Sequence, residues 1–281
     1  FGRPSKQSIP YRPGQTPQWR ETVYDPAGRV AEKRDPALPL FFDNGPHHPA
    51  TKYFYNEEIR PAGASSEPGQ TTRTVDAWER WRWGRLDAAG RLVEVVEPNP
   101  AGGPGLQTKY TYNALDKLTR TEQGDQVRRF RYDSLGRLTA QKLAETEATL
   151  NLAGQWTTTG TVDDRWSDVF TYDERSNLIS KTDARGVKSI YKYKDSNNVD
   201  DPLNRLQSVT YDISGVPASL SVLSSPTVTY QYRTKNSASD RIDVTQEKKV
   251  ITDGVNTEEF TYDIEGRLQD NNVTFAGRAQ S

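Results

Sequence analysis

Chemistry on this chain has few places to start. The densest cluster of aromatic and basic side chains is Trp78-Glu79-Arg80-Trp81-Arg82-Trp83-Gly84-Arg85. An aromatic face flanked by Trp78, Arg80, Trp81, Arg82 and Trp83 suits a sugar or an anionic glycan, through stacking and charge-assisted hydrogen bonds. The same residues also suit an ordinary strand whose indoles pack on a neighbour and whose arginines face water. His47-His48, with Asp43 nearby, is the only histidine-bearing segment. Adjacent strand residues point apart, and Pro46 and Pro49 bracket the pair, so solvated loop histidines are the simpler reading and no metal site is assigned. The acidic pairs Asp163-Asp164, Asp200-Asp201 and Glu258-Glu259 have the residue type for glycosidase chemistry, but adjacent strand residues face opposite ways, and Asp200-Asp201, ahead of Pro202, reads as a turn. A calcium loop through Asp195, Asn197, Asp200 and Asp201 does not follow the helix-flanked spacing. The chain has no Cys, and it lacks the nucleophile-elbow, zinc-helix and phosphate-loop motifs. The sequence therefore reads as non-catalytic, with no cofactor called for.

What positions these residues is a phrase that keeps returning: Tyr-Asp-x-x-Gly-Arg-Leu. It stands at Tyr132-Asp133-Ser134-Leu135-Gly136-Arg137-Leu138 and at Tyr262-Asp263-Ile264-Glu265-Gly266-Arg267-Leu268. A third copy is Tyr24-Asp25-Pro26-Ala27-Gly28-Arg29-Val30. Looser copies start at Tyr112-Asn113 and Tyr172-Asp173. Asp opening a tight turn accepts hydrogen bonds from backbone N–H groups within it. Gly three residues later suits the left-handed position that closes a type I turn with a bulge. Where Gly is missing, Asp116, Ser176 or Asn204 takes that position. Aromatic pairs two residues apart precede the turns, at Tyr110/Tyr112, Phe130/Tyr132, Phe170/Tyr172, Tyr191/Tyr193, Tyr230/Tyr232 and Phe260/Tyr262. Such pairs share one face of a strand. Each copy reads as a β-hairpin, with the tyrosines laddered across neighbouring hairpins. The gap between Tyr132 and Tyr172 is expected to hold one degenerate hairpin, Thr146–Leu152 and Trp156–Val162, turning at Ala153-Gly154. Over Ala77–Leu86 strand is favoured over a short helix, because Trp81 and Trp83 stand two apart.

The repeated phrase resembles the YD-repeat (Rhs) family. That family includes bacterial polymorphic toxins, shell subunits of insecticidal toxin complexes, wall-associated proteins and teneurins. The motif runs from Tyr24 to Leu268, with residues 31–80 carrying it poorly. The resemblance implies an all-β array of antiparallel hairpins in a curved or spiral sheet, part of a hollow shell. It implies a structural segment whose partner is the rest of its own chain, a toxin or C-terminal cargo. The expected setting is secreted or cell-surface, in a bacterium. An adhesin or glycan-binding module is the alternative.

Composition agrees with a thin, wetted sheet. Only 33% of residues are apolar, yet 14 Tyr and 6 Trp argue against disorder. With 37 basic and 38 acidic residues, neither nucleic acid nor an anionic membrane is favoured, and no apolar run is long enough to insert in a bilayer. The absence of Met, with Phe at position 1, points to a piece of a longer protein. Pro and Gly clusters divide the chain into an arm over 1–20, an irregular repeat-like region over 21–104 and a regular array over 105–281. Exposed strand edges leave self-association open.

Overall fold

The computed structural model describes residues 2–36, 49–57, 59–194, 198–201, 203–234, 244–263, 266–275 and 278–280. The chain divides into two compact units, Phe1–Val127 and Arg128–Ser281. The first contains β1 (Lys6–Ser8), β2 (Trp19–Tyr24), β3 (Val30–Arg34), β4 (Ala50–Tyr55), β5 (Gln70–Val75), β6 (Trp81–Leu86), β7 (Leu92–Glu97), β8 (Leu106–Tyr112) and β9 (Leu118–Gln123). β10 (Gln126–Tyr132) begins at the boundary. The second unit continues with β11 (Leu138–Lys142), β12 (Asp168–Tyr172), β13 (Leu178–Asp183), β14 (Lys188–Lys192), β15 (Ser208–Asp212), β16 (Val228–Thr234), β17 (Val244–Thr252), β18 (Thr257–Tyr262), β19 (Leu268–Phe275) and β20 (Arg278–Gln280). Within each unit every strand pairs antiparallel with the next in sequence. The protein is all-β. Its described helical residues are two short 3-10 turns, Val162–Asp164 and Ala218–Leu220, so none of its described helices is long and apolar enough to cross a membrane.

The turns follow from their aspartates. Asp133 Oδ1 accepts the N–H groups of Leu135 at 3.0 Å and Arg137 at 2.9 Å. Gly136 N–H donates to the Asp133 carbonyl at 3.0 Å, and Asp133 N–H to that of Arg137 at 3.0 Å. Gly136 has φ +76°, and the register shifts by one residue where Tyr132 pairs with Leu138. This is a type I turn closed by a bulge. Asp116, Ser176 and Asn204 take the same left-handed position at φ +56°, +66° and +55°. Two further copies lack the tyrosine and are not found by its spacing. They are Asp76-Ala77-Trp78-Glu79-Arg80-Trp81, with Glu79 at φ +61°, and Asp87-Ala88-Ala89-Gly90-Arg91-Leu92, with Gly90 at φ +80°.

The segment between Tyr132 and Tyr172 departs from expectation. Asn151 organises the foreseen turn, with Gly154 at φ +74°. Its flanks form only the single bridges Leu150↔Trp156 and Leu150↔Trp166, not strands. Leu150 and Trp166 instead pack on Ala140 and Val169, with Trp156 against them. The segment buries apolar surface against the sheet rather than lengthening it.

In the first unit the buried residues centre on β6 and β7: Trp83, Val95, Val96 and Glu94. A buried carboxylate requires partners. Glu94 accepts from Ser65 N–H at 2.7 Å, Ser65 Oγ at 2.5 Å, Gln107 Nε2 at 2.5 Å and Arg85 Nε at 2.9 Å. Burial pushes its carboxyl upward, but these donors outweigh it and hold it below the usual range. The 61–70 loop is thereby fixed to β7, and the Arg60 guanidinium lies 6.0 Å from the Trp83 ring centre.

The turn assignment can be tested in opposite directions. A Cβ added at Gly90 meets nothing within 4 Å, so Gly90→Ala isolates backbone strain. It should cost about 1–2 kcal/mol, and Glu79→Gly should stabilise by about 1 kcal/mol. Chemical denaturation of both variants checks this; an unchanged stability in both would remove the assignment.

Candidate functional site

The repeat residues form a junction between one hairpin and the next. In β10–β11, Asp133 Oδ2 accepts from Arg137 Nε at 2.6 Å. The same guanidinium lies 4.9 Å from the centre of the Tyr172 ring on the following hairpin. Its Nη1 donates to the Asp173 carbonyl at 3.0 Å and to Ser176 Oγ at 3.2 Å, inside the following turn. Tyr172 Oη donates back to the Leu138 carbonyl at 2.8 Å. One arginine thus closes its own turn, covers the next tyrosine and reaches the next turn.

The junction recurs. Arg91 lies over Tyr112 at 5.2 Å, Tyr112 Oη donates to the Leu92 carbonyl at 2.8 Å, and Arg91 Nη1 reaches the Asn113 carbonyl and Asp116. Arg29 lies over Tyr55 at 4.4 Å, and Tyr55 Oη donates to the Val30 carbonyl at 2.9 Å. Arg205 lies over Tyr232 at 4.4 Å, and Tyr232 Oη donates to the Leu206 carbonyl at 2.6 Å. Where Asn177 replaces arginine, amides do the bridging: Asn177 Nδ2 donates to Asn204 Oδ1 at 2.8 Å.

The electrostatics fit these roles. Backbone N–H donation by the arginine four residues on, joined by its side chain, holds Asp25, Asp87 and Asp133 below the usual carboxylate range. At Asp201, burial pushes upward, but the Arg205 side chain and turn N–H groups prevail and the net direction is down. Burial raises Tyr112, Tyr172 and Tyr232 above the usual phenol range.

The other expected site residues fall as follows. Tyr24, Asp25 and Gly28 form a full turn, with Gly28 at φ +76°. Tyr262 Oη donates to the Lys248 carbonyl at 2.8 Å, Asp263 holds Arg267 at 2.6 Å, Gly266 has φ +81°, and Leu268 is exposed. The aromatic and basic cluster is split by strand alternation. Trp81 and Trp83 share one face of β6 and Arg82 points to the other, where it meets Glu97 at 3.4 Å. Trp83 is 1% exposed, and its face is covered. Trp78 is exposed at the turn, with Arg80 5.1 Å from its ring and tied to Asp76 at 2.6 Å. Asp43, His47, His48, Asp195 and Asn197 lie outside the described residues. Asp200 pairs with Arg175 at 3.1 Å, and Asp201 opens a turn. Among the described residues no three potential metal ligands cluster.

The signal for the junction was present in the sequence, as the constant offset of four between Asp and Arg at 25/29, 76/80, 87/91, 133/137, 201/205 and 263/267. Taken one hairpin at a time, that offset does not show that the arginine reaches the next hairpin.

The family model described as RHS Repeat matches residues 112–148. Residues 112–148 are thus similar to an RHS (YD) repeat. No curated protein matches the chain significantly. Among solved structures, the chain is similar to the TcdB2-TccC3-Cdc42 crystal structure, at 16% identity and a TM-score of 0.47 over 91% of its length. It is similar also to TcdB2-TccC3 without hypervariable C-terminal region, at 15% identity and a TM-score of 0.47 over 94%. It spans 14% of the length of each of those chains. Similarity at this level assigns neither a shared activity nor shared partners.

Two outcomes check the junction. Tyr172→Phe keeps the ring and removes the hydroxyl, and should cost about 0.5–1.5 kcal/mol by urea unfolding; no loss would show that the bond contributes nothing. The turn carboxylates lie below their unfolded value near 3.9, so their contribution is present above that pH and lost as pH falls through the folded values. Stability should therefore drop below about pH 4, and Asp133→Asn should flatten part of that drop. An identical acid profile in the variant would contradict the assignment.

Proposed function

We propose that this YD-repeat chain is a non-catalytic wall segment of a hollow shell. The shell encloses a toxin or C-terminal domain of a larger secreted or surface protein. The observation that carries this reading is the junction itself. Arg29, Arg91, Arg137 and Arg205 are each engaged with the following hairpin, so the motif's chemistry is spent on lateral cohesion rather than on a ligand. An element whose polar groups lock it to the next copy suits a continuous barrier. The partner is then the remainder of the same polypeptide and its cargo. For the glycan-binding alternative, Trp83 is buried and Arg82 lies on the opposite face of β6, which leaves Trp78 with Arg80 as the exposed aromatic and basic pair.

Electron microscopy of the polypeptide that carries this segment tests the reading. Closed particles with an interior cavity, empty or filled, are expected. Solid, extended or fibrous particles would overturn it.

A further inference from the structure

The sheet of the second unit has a thin seam. Among the described residues β15 pairs with β16 at two register positions, Ser208↔Thr229 and Val209↔Val228. On either side, β14–β15 and β16–β17 each pair at five. The β11–β12 ladder is as short, but there the Leu150–Trp166 segment packs on Ala140 and Val169, one from each strand. Across the β15–β16 seam the further bonds are Tyr230 N–H to the Gln207 carbonyl at 3.0 Å and Tyr232 Oη to the Leu206 carbonyl at 2.6 Å. Among the described residues β15 is the only earlier strand that β16 to β20 contact.

The loop that spans this seam, residues 213–227, is open to solvent in its second half. Its 3-10 turn at Ala218–Leu220 is closed by Leu220 N–H to the Pro217 carbonyl at 3.0 Å. Beyond Ser221, left-handed at φ +47°, no main-chain hydrogen bond among the described residues ties residues 222–227. Pro226 fixes its own φ and biases Ser225 to an extended backbone. Leu223 is 87% exposed and Leu220 45%, so neither leucine is spent on packing. Exposed loops of small and polar residues are where chains are nicked, and an unbonded extended stretch is the form that lies as a strand along another protein's cleft. No Lys or Arg occurs from residue 206 to residue 232, so a protease that reads a cation finds no site here. One that reads an apolar side chain finds Leu223.

We propose that the loop between β15 and β16 is a processing site, at which an endoprotease with an apolar specificity pocket hydrolyses the Leu223–Ser224 peptide bond and so opens the seam. Water adds across the amide: its hydroxyl goes to the Leu223 carbonyl carbon and a proton to the Ser224 nitrogen, and the C–N bond breaks to leave a carboxylate and an ammonium. Before the cut, the loop keeps β16 beside β15 at a high effective concentration. After it, the short ladder and the Tyr232 contact must hold two separate pieces, with far less interface than a stable complex has. This inference rests on strand pairing and loop exposure and not on the shell reading, so either can fail alone.

The first arm of the test is limited chymotrypsin digestion of the folded 281-residue chain, read by mass spectrometry. A fragment beginning at Ser224 is expected, at a rate that stays flat in urea below the unfolding transition. Leu220→Asp together with Leu223→Asp should slow its appearance about tenfold or more and leave the unfolding curve unchanged. The second arm separates cutting from opening. The recognition sequence of a site-specific endoprotease replaces residues 220–225, and the chain is held on a resin by a C-terminal tag. After cutting, the piece ahead of the cut should wash away. No fragment beginning at Ser224, or one that forms only in step with global unfolding, overturns the processing site. Retention of the leading piece after complete cutting overturns the opening of the seam.

Discussion

The structure depends on one guanidinium doing two jobs. The motif arginine neutralises the aspartate that opens its own turn, and its open side covers the tyrosine of the next hairpin. Because the fork is planar and always charged, it can donate in one direction to a carboxylate, stack on a ring and still reach a carbonyl beyond it. Lysine offers neither the plane nor the second donor edge. Lys117, at the arginine position after Asn113, marks a turn built from the same backbone bonds without the ion pair.

This constraint explains how a chain with 33% apolar residues holds a defined sheet. Burial alone gives little here, since few side chains are fully covered. Packing is concentrated in two places. In the first unit the Glu94 hydrogen bonds hold the 61–70 loop to β7, and Arg60 lies over the buried Trp83. In the second, the Leu150–Trp166 segment covers Ala140 and Val169, and Thr149 Oγ1 bonds the Ala184 carbonyl. Elsewhere the junctions carry cohesion from hairpin to hairpin, as expected of a repeat array in which each unit is stabilised by its neighbours.

Much of this was legible in the sequence. The Asp-x-x-Gly spacing specifies a turn with one left-handed residue, and the aromatic pairs specify a strand face; both are local rules that a single sequence carries. Two things were not. The turns at Asp76 and Asp87 escape a search keyed on tyrosine, because Val75 and Leu86 precede them. The 143–167 segment has turn chemistry at Asn151 and Gly154, yet its apolar residues find better burial on the sheet than in a ladder, which is a tertiary outcome. In the Trp78–Arg85 cluster, by contrast, β6 puts Trp81 and Trp83 on one face and Arg82 on the other, as the alternation legible in the sequence requires.

The central claim is that the motif arginine couples neighbouring hairpins, beyond stabilising its own. Residue-resolved native-state hydrogen exchange on Arg137→Gln tests it most directly. The account predicts lost protection in β10 and β11 and also in β12 and β13, which Arg137 reaches through Tyr172 and the Asp173 turn. Loss confined to β10 and β11, with β12 and β13 unchanged, would contradict it and leave the arginine as a local turn residue.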